Sequence, residues 1–230
     1  MSATVAGLDL GCSADWTALA VCRAEHPDGR SELVKGRGAE PVIRLLQLNR
    51  MRDTPYPELV RRIAWAFSTE PKLKGAELVA DATGVGLPVV QLLSEARLHP
   101  VCVTITGGDR ESHDRRHGWR VPKRDLIMSL KVLMQQGRFK YKPTMPLVEE
   151  CRKEVLAYSY KINPLTAHDS YAADTRAAPH DDLVLAICLA TWRLRQLPPS
   201  EWMPWAGGQR RMVVDVGYGG TDEDEEDGDG

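Results

Sequence analysis

The chain has 230 residues, 43% hydrophobic and 27% charged, a globular balance with core enough for one large domain or two small ones. No apolar run approaches the roughly 20 residues of a membrane helix, and the start MSATVAGLDLG lacks a signal peptide's basic and apolar regions, so a cytosolic, non-secreted protein is expected. The net charge of -2 hides an asymmetry: residues 221–230 carry seven acids and no base, leaving net +5 on residues 1–220, a basic body suited to a polyanion partner.

The runs Val5–Leu10 and Trp16–Cys22, separated by the small-residue turn Gly11–Asp15, predict a β-hairpin, and Val42–Leu48 predicts a third strand. Leu59, Ile63, Ala66 and Phe67 recur at helical spacing between Tyr56 and Phe67, and Ala76–Ala80 is a buried strand leading into Asp81. A helix over Leu87–Ala96, a strand over Pro100–Ile105 and helices over Arg124–Gln136 and Pro146–Ala157 follow. Residues 158–178 show little periodicity and read as loops or a hairpin. The strongest helix, Asp181–Leu197, is apolar on nearly every face through Leu183–Ala190 and should pack deep against a sheet. A domain of residues 1–198 followed by a flexible, acidic tail of residues 199–230 is expected, with no internal repeat. A hairpin followed by alternating strands and helices implies an α/β fold, a mixed sheet whose first strands are antiparallel. Cys12, Cys22, Cys102, Cys151 and Cys188 include no Cys-x-x-Cys pair, which argues against a disulfide framework or a structural zinc and for reduced core residues.

Three places carry carboxylates where apolar residues are expected. Asp9 lies inside an apolar strand, on the face opposite Leu8 and Leu10, where a lone charge is costly to bury; capping the turn at Gly11 is the plainer alternative. Asp81 ends a buried strand before Thr83-Gly84-Val85-Gly86, at the sheet edge where α/β folds bind ligands, or caps the next helix. The glycines there lack the third glycine or Lys-Ser/Thr of a phosphate cradle. Asp181 and Asp182 open the apolar helix, where the helix dipole alone favours acids. Converging on one edge, these acids would form a hard oxygen site suited to Mg²⁺ or Mn²⁺, and two such ions about 4 Å apart serve phosphodiester hydrolysis. Arg110, Arg115, Arg116, Arg120, Lys123 and Arg124, interspersed with His113, His117 and Trp119, form either a solvated loop or a salt-sensitive contact to DNA phosphates. His113 and His117 have no evident third ligand for zinc.

Gly7-Leu8-Asp9-Leu10-Gly11 with Asp15–Leu19, Val79–Gly86, and His180-Asp181-Asp182-Leu183-Val184-Leu185-Ala186 resemble, in order and spacing across about residues 5–195, the nuclease domain of tailed-phage large terminases. Val121-Pro122-Lys123 opening a helix and Gly137-Arg138-Phe139 before Pro146-Leu147 also look like that family. The resemblance implies a ribonuclease H-like fold and an endonuclease in the host bacterium's cytoplasm that cuts concatemeric double-stranded DNA around genome packaging. It implies Asp9, Asp81 and Asp181 as metal ligands, with Asp182 a further ligand or a supporting acid. Asp9 would bridge two ions, and the products would carry 5′ phosphate and 3′ hydroxyl. Partners implied are DNA, a packaging ATPase, the portal and the small terminase. The chain has no Gly-x-x-x-x-Gly-Lys-Ser/Thr loop, so an excised domain or an ATPase acting in trans is expected. The rival readings are a non-catalytic packaging subunit, a Holliday-junction resolvase, and an actin- or sugar-kinase-like ATP-binding domain, suggested by Gly-Leu-Asp-Leu-Gly-Cys-Ser.

Overall fold

A computed structural model describes residues 2–11, 15–25, 40–84, 86–114, 118–159 and 180–197. Strands β1 (Ser2–Asp9) and β2 (Thr17–Glu25) form the expected antiparallel pair, with Leu8 opposite Leu19 and Asp9 opposite Ala18. Strand β3 (Val42–Met51) runs antiparallel to β2. Helix α1 (Tyr56–Thr69) leads to β4 (Glu77–Asp81), which lies parallel to β1. Helix α2 (Gly86–Glu95) precedes β5 (Val101–Thr106), parallel to β4.

The stretch after β5 departs from the solvated-loop expectation. It folds into β6 (Ser112–Asp114) and β7 (Gly118–Pro122), an antiparallel pair that extends the sheet beside β5. Then come α3 (Lys123–Gln135), the two-residue β8 (Phe139–Lys140), α4 (Val148–Ser159) and α5 (Asp182–Gln196). The sheet runs in the order β6-β7-β5-β4-β1-β2-β3-β8. The expected α/β mixed sheet is therefore present. The boundaries of the anticipated helices move by one or two residues, as helix ends commonly do.

Alternation along the strands separates two cores. Ala6, Leu8, Leu19, Val21, Leu78 and Ala80 face α1 and α2, meeting Leu59, Ile63, Val89 and Leu93. Val5, Ala18, Ala20, Cys22, Val79 and Val103 face the other way, against α3, α4 and α5. Helix α5 lies on β1 and β2, with α3 and α4 across its outer side, so every residue from Asp182 to Leu194 except Arg193 is buried. That enclosure explains why the helix is apolar all round. The approach to β1 is close because Gly7 has no side chain: a Cβ there would collide with the Ala186 carbonyl oxygen and stand 2.8 Å from the Ala190 nitrogen.

Strand β3 contains an irregularity with consequences. Leu45 sits opposite Cys22 and Gln47 opposite Val21, so Leu46 is an extra residue in the ladder. Ile43 and Leu45 face α5, as does Leu48, although strict alternation from Leu45 would turn Leu48 away. A bulge of this kind reverses the phase of everything after it. Arg50, two residues beyond Leu48, is thereby carried to the α5 side.

Cys22, Cys151 and Cys188 are free and buried and Cys102 is half-buried, as expected of reduced core cysteines. Burial pushes the Cys22 and Cys188 thiols up, which keeps them protonated and inert. Among the described residues no helix is long and apolar enough to cross a membrane. The expectations for Cys12, Arg115, Arg116, His117, residues 160–178 and the tail of residues 199–230 lie outside the described residues; Tyr158 and Ser159, anticipated in a loop, close α4.

Candidate active site

The four singled-out acids arrive at one edge of the sheet for separate local reasons. Asp9 is the last residue of β1 and, by alternation with Val5 and Gly7, projects toward α5. Asp81 ends the neighbouring parallel strand β4 and has the same facing as Val79. Ala186 and Ala190 contact β1 at Gly7; one turn earlier on the same helix stands Asp182, preceded by Asp181 at the N-cap. The helix thus starts where the two strands end.

The plainer alternatives do not account for these acids. Asp181 occupies the N-cap, but its side chain makes no capping hydrogen bond. Its carboxylate is turned instead onto Lys123, whose Nζ lies 2.7 Å from Oδ2, and onto the Tyr158 hydroxyl, which donates to the same oxygen. Burial and the adjacent Asp181 charge push the Tyr158 hydroxyl up, so it stays a donor. Asp81 is not the cap of α2, which begins at Gly86; its Oδ1 accepts the Thr83 amide at 2.7 Å, while the Thr83 hydroxyl accepts the Ile105 amide at 2.7 Å. That turn holds the Asp81 carboxylate at the strand end.

The electrostatics report the convergence. Burial first, and then the charges of Asp81, Asp181 and Asp182, hold the Asp9 carboxyl well above the ordinary carboxylate range, with Lys123 acting in the opposite sense. Burial also raises Asp81, against the opposing Thr83 bonds. Asp9, Asp81 and Asp182 are each less than 10% exposed. Acids gathered with so little water require a counter-charge.

Sequence reasoning missed part of the surroundings. Arg50 of β3 donates from Nη2 to Asp182 Oδ1 at 2.6 Å and lies 3.4 Å from Glu154 of α4, while its guanidinium stacks 4.5 Å from the Trp16 ring. Glu154 is buried and accepts the Val184 amide of α5 at 3.1 Å. Its carboxyl is pushed up to about 8, by burial first and Asp182 second, against the pull of Val184 and Arg50. A buried Glu on a helix with exposed Arg and Lys neighbours was the available signal, but its partners were not visible.

The expected basic cluster is divided by the fold. Lys123 belongs to the acid cluster through Asp181. Arg120 lies on β7, exposed, opposite Ser112 of β6 and Thr104 of β5. Arg124 pairs at 3.4 Å with both Asp109 and Asp125 near the surface. His113 and Trp119 stack with ring centroids 4.5 Å apart, and Trp119 meets Trp192 edge-on at 5.5 Å, tying the β6–β7 pair to α5.

Among the described residues no group of three His, Cys, Asp or Glu side chains is closed into a metal cage; Asp181 is bonded by Lys123 and Asp182 by Arg50. The donor set nevertheless fits a hard divalent cation. All its atoms are carboxylate oxygens, Asp9 is crowded by like charge, and the buried Asp182 Oδ2 has no hydrogen-bond partner among the described residues. A cavity of about 490 Å³ bordered by Gly11, Asp15 and Thr17 on one side and by residues 51–56 on the other is lined by none of these acids.

No protein-family model matches the chain, and no curated protein matches it in sequence. Solved structures do match its fold. The large terminase nuclease of thermophilic phage G20c with bound cobalt aligns at TM-score 0.56 and 20% identity, over 84% of this chain and 81% of that one. The same nuclease with bound magnesium aligns at TM-score 0.53 and 19% identity, over 84% and 82%. The nuclease domain of human cytomegalovirus terminase aligns at TM-score 0.43 and 13% identity, over 82% and 81%. The eight-stranded mixed sheet flanked by helices is thus a fold shared with the large terminase nuclease of phage G20c.

Proposed function

We propose that this chain is the nuclease of a viral genome-packaging terminase, a metal-dependent endonuclease acting on double-stranded DNA. The observation that carries the reading is the meeting of Asp9, Asp81, Asp181 and Asp182 at one sheet edge, in a fold shared with a large terminase nuclease that was solved with magnesium bound. Asp9, Asp81 and Asp181 are the proposed ligands for Mg²⁺ or Mn²⁺, two ions in all, with Asp182 as a further ligand or a supporting acid. Such ions supply charge neutralisation at the scissile phosphate and make water a better nucleophile at neutral pH.

The chain's own residues prepare the site. Alternation along β1 and β4 aims Asp9 and Asp81 at α5, and burial keeps bulk water from screening them. Lys123 balances Asp181 and, being partly exposed, can exchange that carboxylate for a DNA phosphate oxygen. Arg120 and Arg124, with Arg115 and Arg116, supply backbone contacts that carry no sequence information. The packaging ATPase, as a fused domain or a separate chain, would be the motor partner, with the portal and small terminase at later steps in the bacterial cytoplasm. In this proposal residues 1–198 are the nuclease unit and residues 199–230 an acidic tail.

The direct test is cleavage of supercoiled plasmid with Mg²⁺, Mn²⁺ or EDTA, run beside Asp181→Ala. Nicking and linearisation that need the metal and disappear in the variant are expected. Cutting that persists in EDTA, or in Asp181→Ala at the normal rate, would sink the assignment.

A further inference from the structure

The acid edge has a support that the metal-site reading does not use. Arg50 and Glu154 come from elements far apart in the chain, β3 and α4, yet both grip the first turn of α5. Arg50 bonds Asp182 Oδ1 at 2.6 Å, and Glu154 accepts the Val184 amide at 3.1 Å, one of the helix-start donors with no partner inside the helix. The two are joined at 3.4 Å, and the Trp16 ring covers the guanidinium at 4.5 Å, with His180 edge-on to that ring at 6.5 Å.

Three features separate this arrangement from an incidental buried ion pair. Arg50 reaches the acids only because the extra residue at Leu46 reverses the facing of β3 beyond it. The network is also expensive to keep: Arg50 Nε is buried with no partner among the described residues, and an apolar trio of similar volume would be at least as stable. Finally, Arg50 fixes Asp182 Oδ1 while Oδ2 has no partner among the described residues, so one oxygen is anchored and the other presented.

We propose that Arg50 and Glu154 are positioning residues: a strut from β3 and α4 that fixes the first turn of α5, and with it Asp181 and Asp182, at the distance from Asp9 and Asp81 that a divalent cation needs. This rests on the metal-site reading above. Residues that orient ligands from behind typically change metal affinity 10–100-fold when lost.

The test measures Mn²⁺ binding to the metal-free full chain by titration calorimetry and by electron paramagnetic resonance, beside plasmid cutting across a Mn²⁺ series. Glu154→Ala should weaken Mn²⁺ binding by about tenfold or more while cutting at saturating Mn²⁺ stays near the wild-type rate. Glu154→Gln, which keeps an acceptor for the Val184 amide, should recover most of the affinity. Should Glu154→Ala fail to fold, Arg50→Lys decides: it keeps the charge but lacks the planar guanidinium that stacks on Trp16 and sets Nη2 beside both carboxylates, and about tenfold weaker Mn²⁺ binding is expected. Folded variants that bind Mn²⁺ as the wild type does would overturn the strut and leave the metal site standing. A wild type that neither binds Mn²⁺ nor cuts would overturn the metal-nuclease reading, and the strut's role with it.

Discussion

Gly7 of β1 and Ala186 of α5 touch backbone to backbone, and this contact sets the height at which the helix carrying Asp181 and Asp182 rides over the strand carrying Asp9. A side chain at position 7 has no space, since the neighbouring atoms are main-chain groups that cannot rotate away. Gly7→Ala should therefore lift α5 and destabilise the fold by about 1–3 kcal/mol, the usual range for overpacking. In a chain of this size that lowers the melting temperature by about 2–12 °C. A thermal melt superimposable on the wild type would contradict the contact.

Asp9 is buried among three other carboxylates, so its charged form is a burden on the metal-free protein. Its folded pKa is raised above the unfolded value; the stability that goes with holding the proton is complete below the unfolded pKa and lost as the pH rises through the folded one. At pH 8 without metal, Asp9→Asn should accordingly melt above the wild type, by about 0.5–2 kcal/mol as relief of a strained site commonly yields. The same variant should cut plasmid at least about 100-fold more slowly, the scale of a lost essential group. Asp9→Ala and Asp81→Ala should also stop cutting while circular dichroism remains native. Normal cutting by any of these variants would remove that acid from the site.

The Glu154 carboxyl, raised to about 8 from an ordinary 4.5, has the same sign but a defined window. Its protonated form stabilises the fold fully below the ordinary value, and the benefit is lost as the pH rises through about 8. Metal-free wild-type protein should thus lose melting temperature between pH 5 and 9. Glu154→Gln, neutral throughout, should lose less, by about 5 °C, which corresponds to 1–2 kcal/mol here. Parallel melting curves for the two proteins across that range would show that Glu154 does not titrate there.

DNA binding is best measured in Asp9→Asn, so that the substrate survives. Arg120→Ala should weaken binding to unrelated duplexes equally and reduce the slope of log affinity against log salt by about 1, as expected for one lost phosphate contact. Fluorescence anisotropy over a salt series checks this. An unchanged slope would place Arg120 off the DNA path.

Much of this architecture was legible in the residues. Short apolar runs marked β1 through β5 and apolar residues at helical spacing or in longer runs marked the helices among the described residues, because burying one face or all faces of an element leaves its imprint locally. The acids were conspicuous because Asp9, Asp81 and Asp181-Asp182 interrupt apolar runs at element ends. Strands β6, β7 and β8 left no such imprint: they are two to five residues long and take their order from the neighbouring strand rather than from their own pattern. The position of Lys123 was equally hidden, since its basic neighbourhood in the chain pointed to solvent while the fold turns it onto Asp181. Arg50 is the clearest case. Counting alternately from Ile43 and Leu45 puts it on the α1 side; the bulge at Leu46, visible only once β3 is laid against β2, puts it on Asp182. Alternation along the chain assigns the face of a residue only until a bulge reverses it, and which charge Arg50 meets depends on an element more than 100 residues away, so only packing decides that.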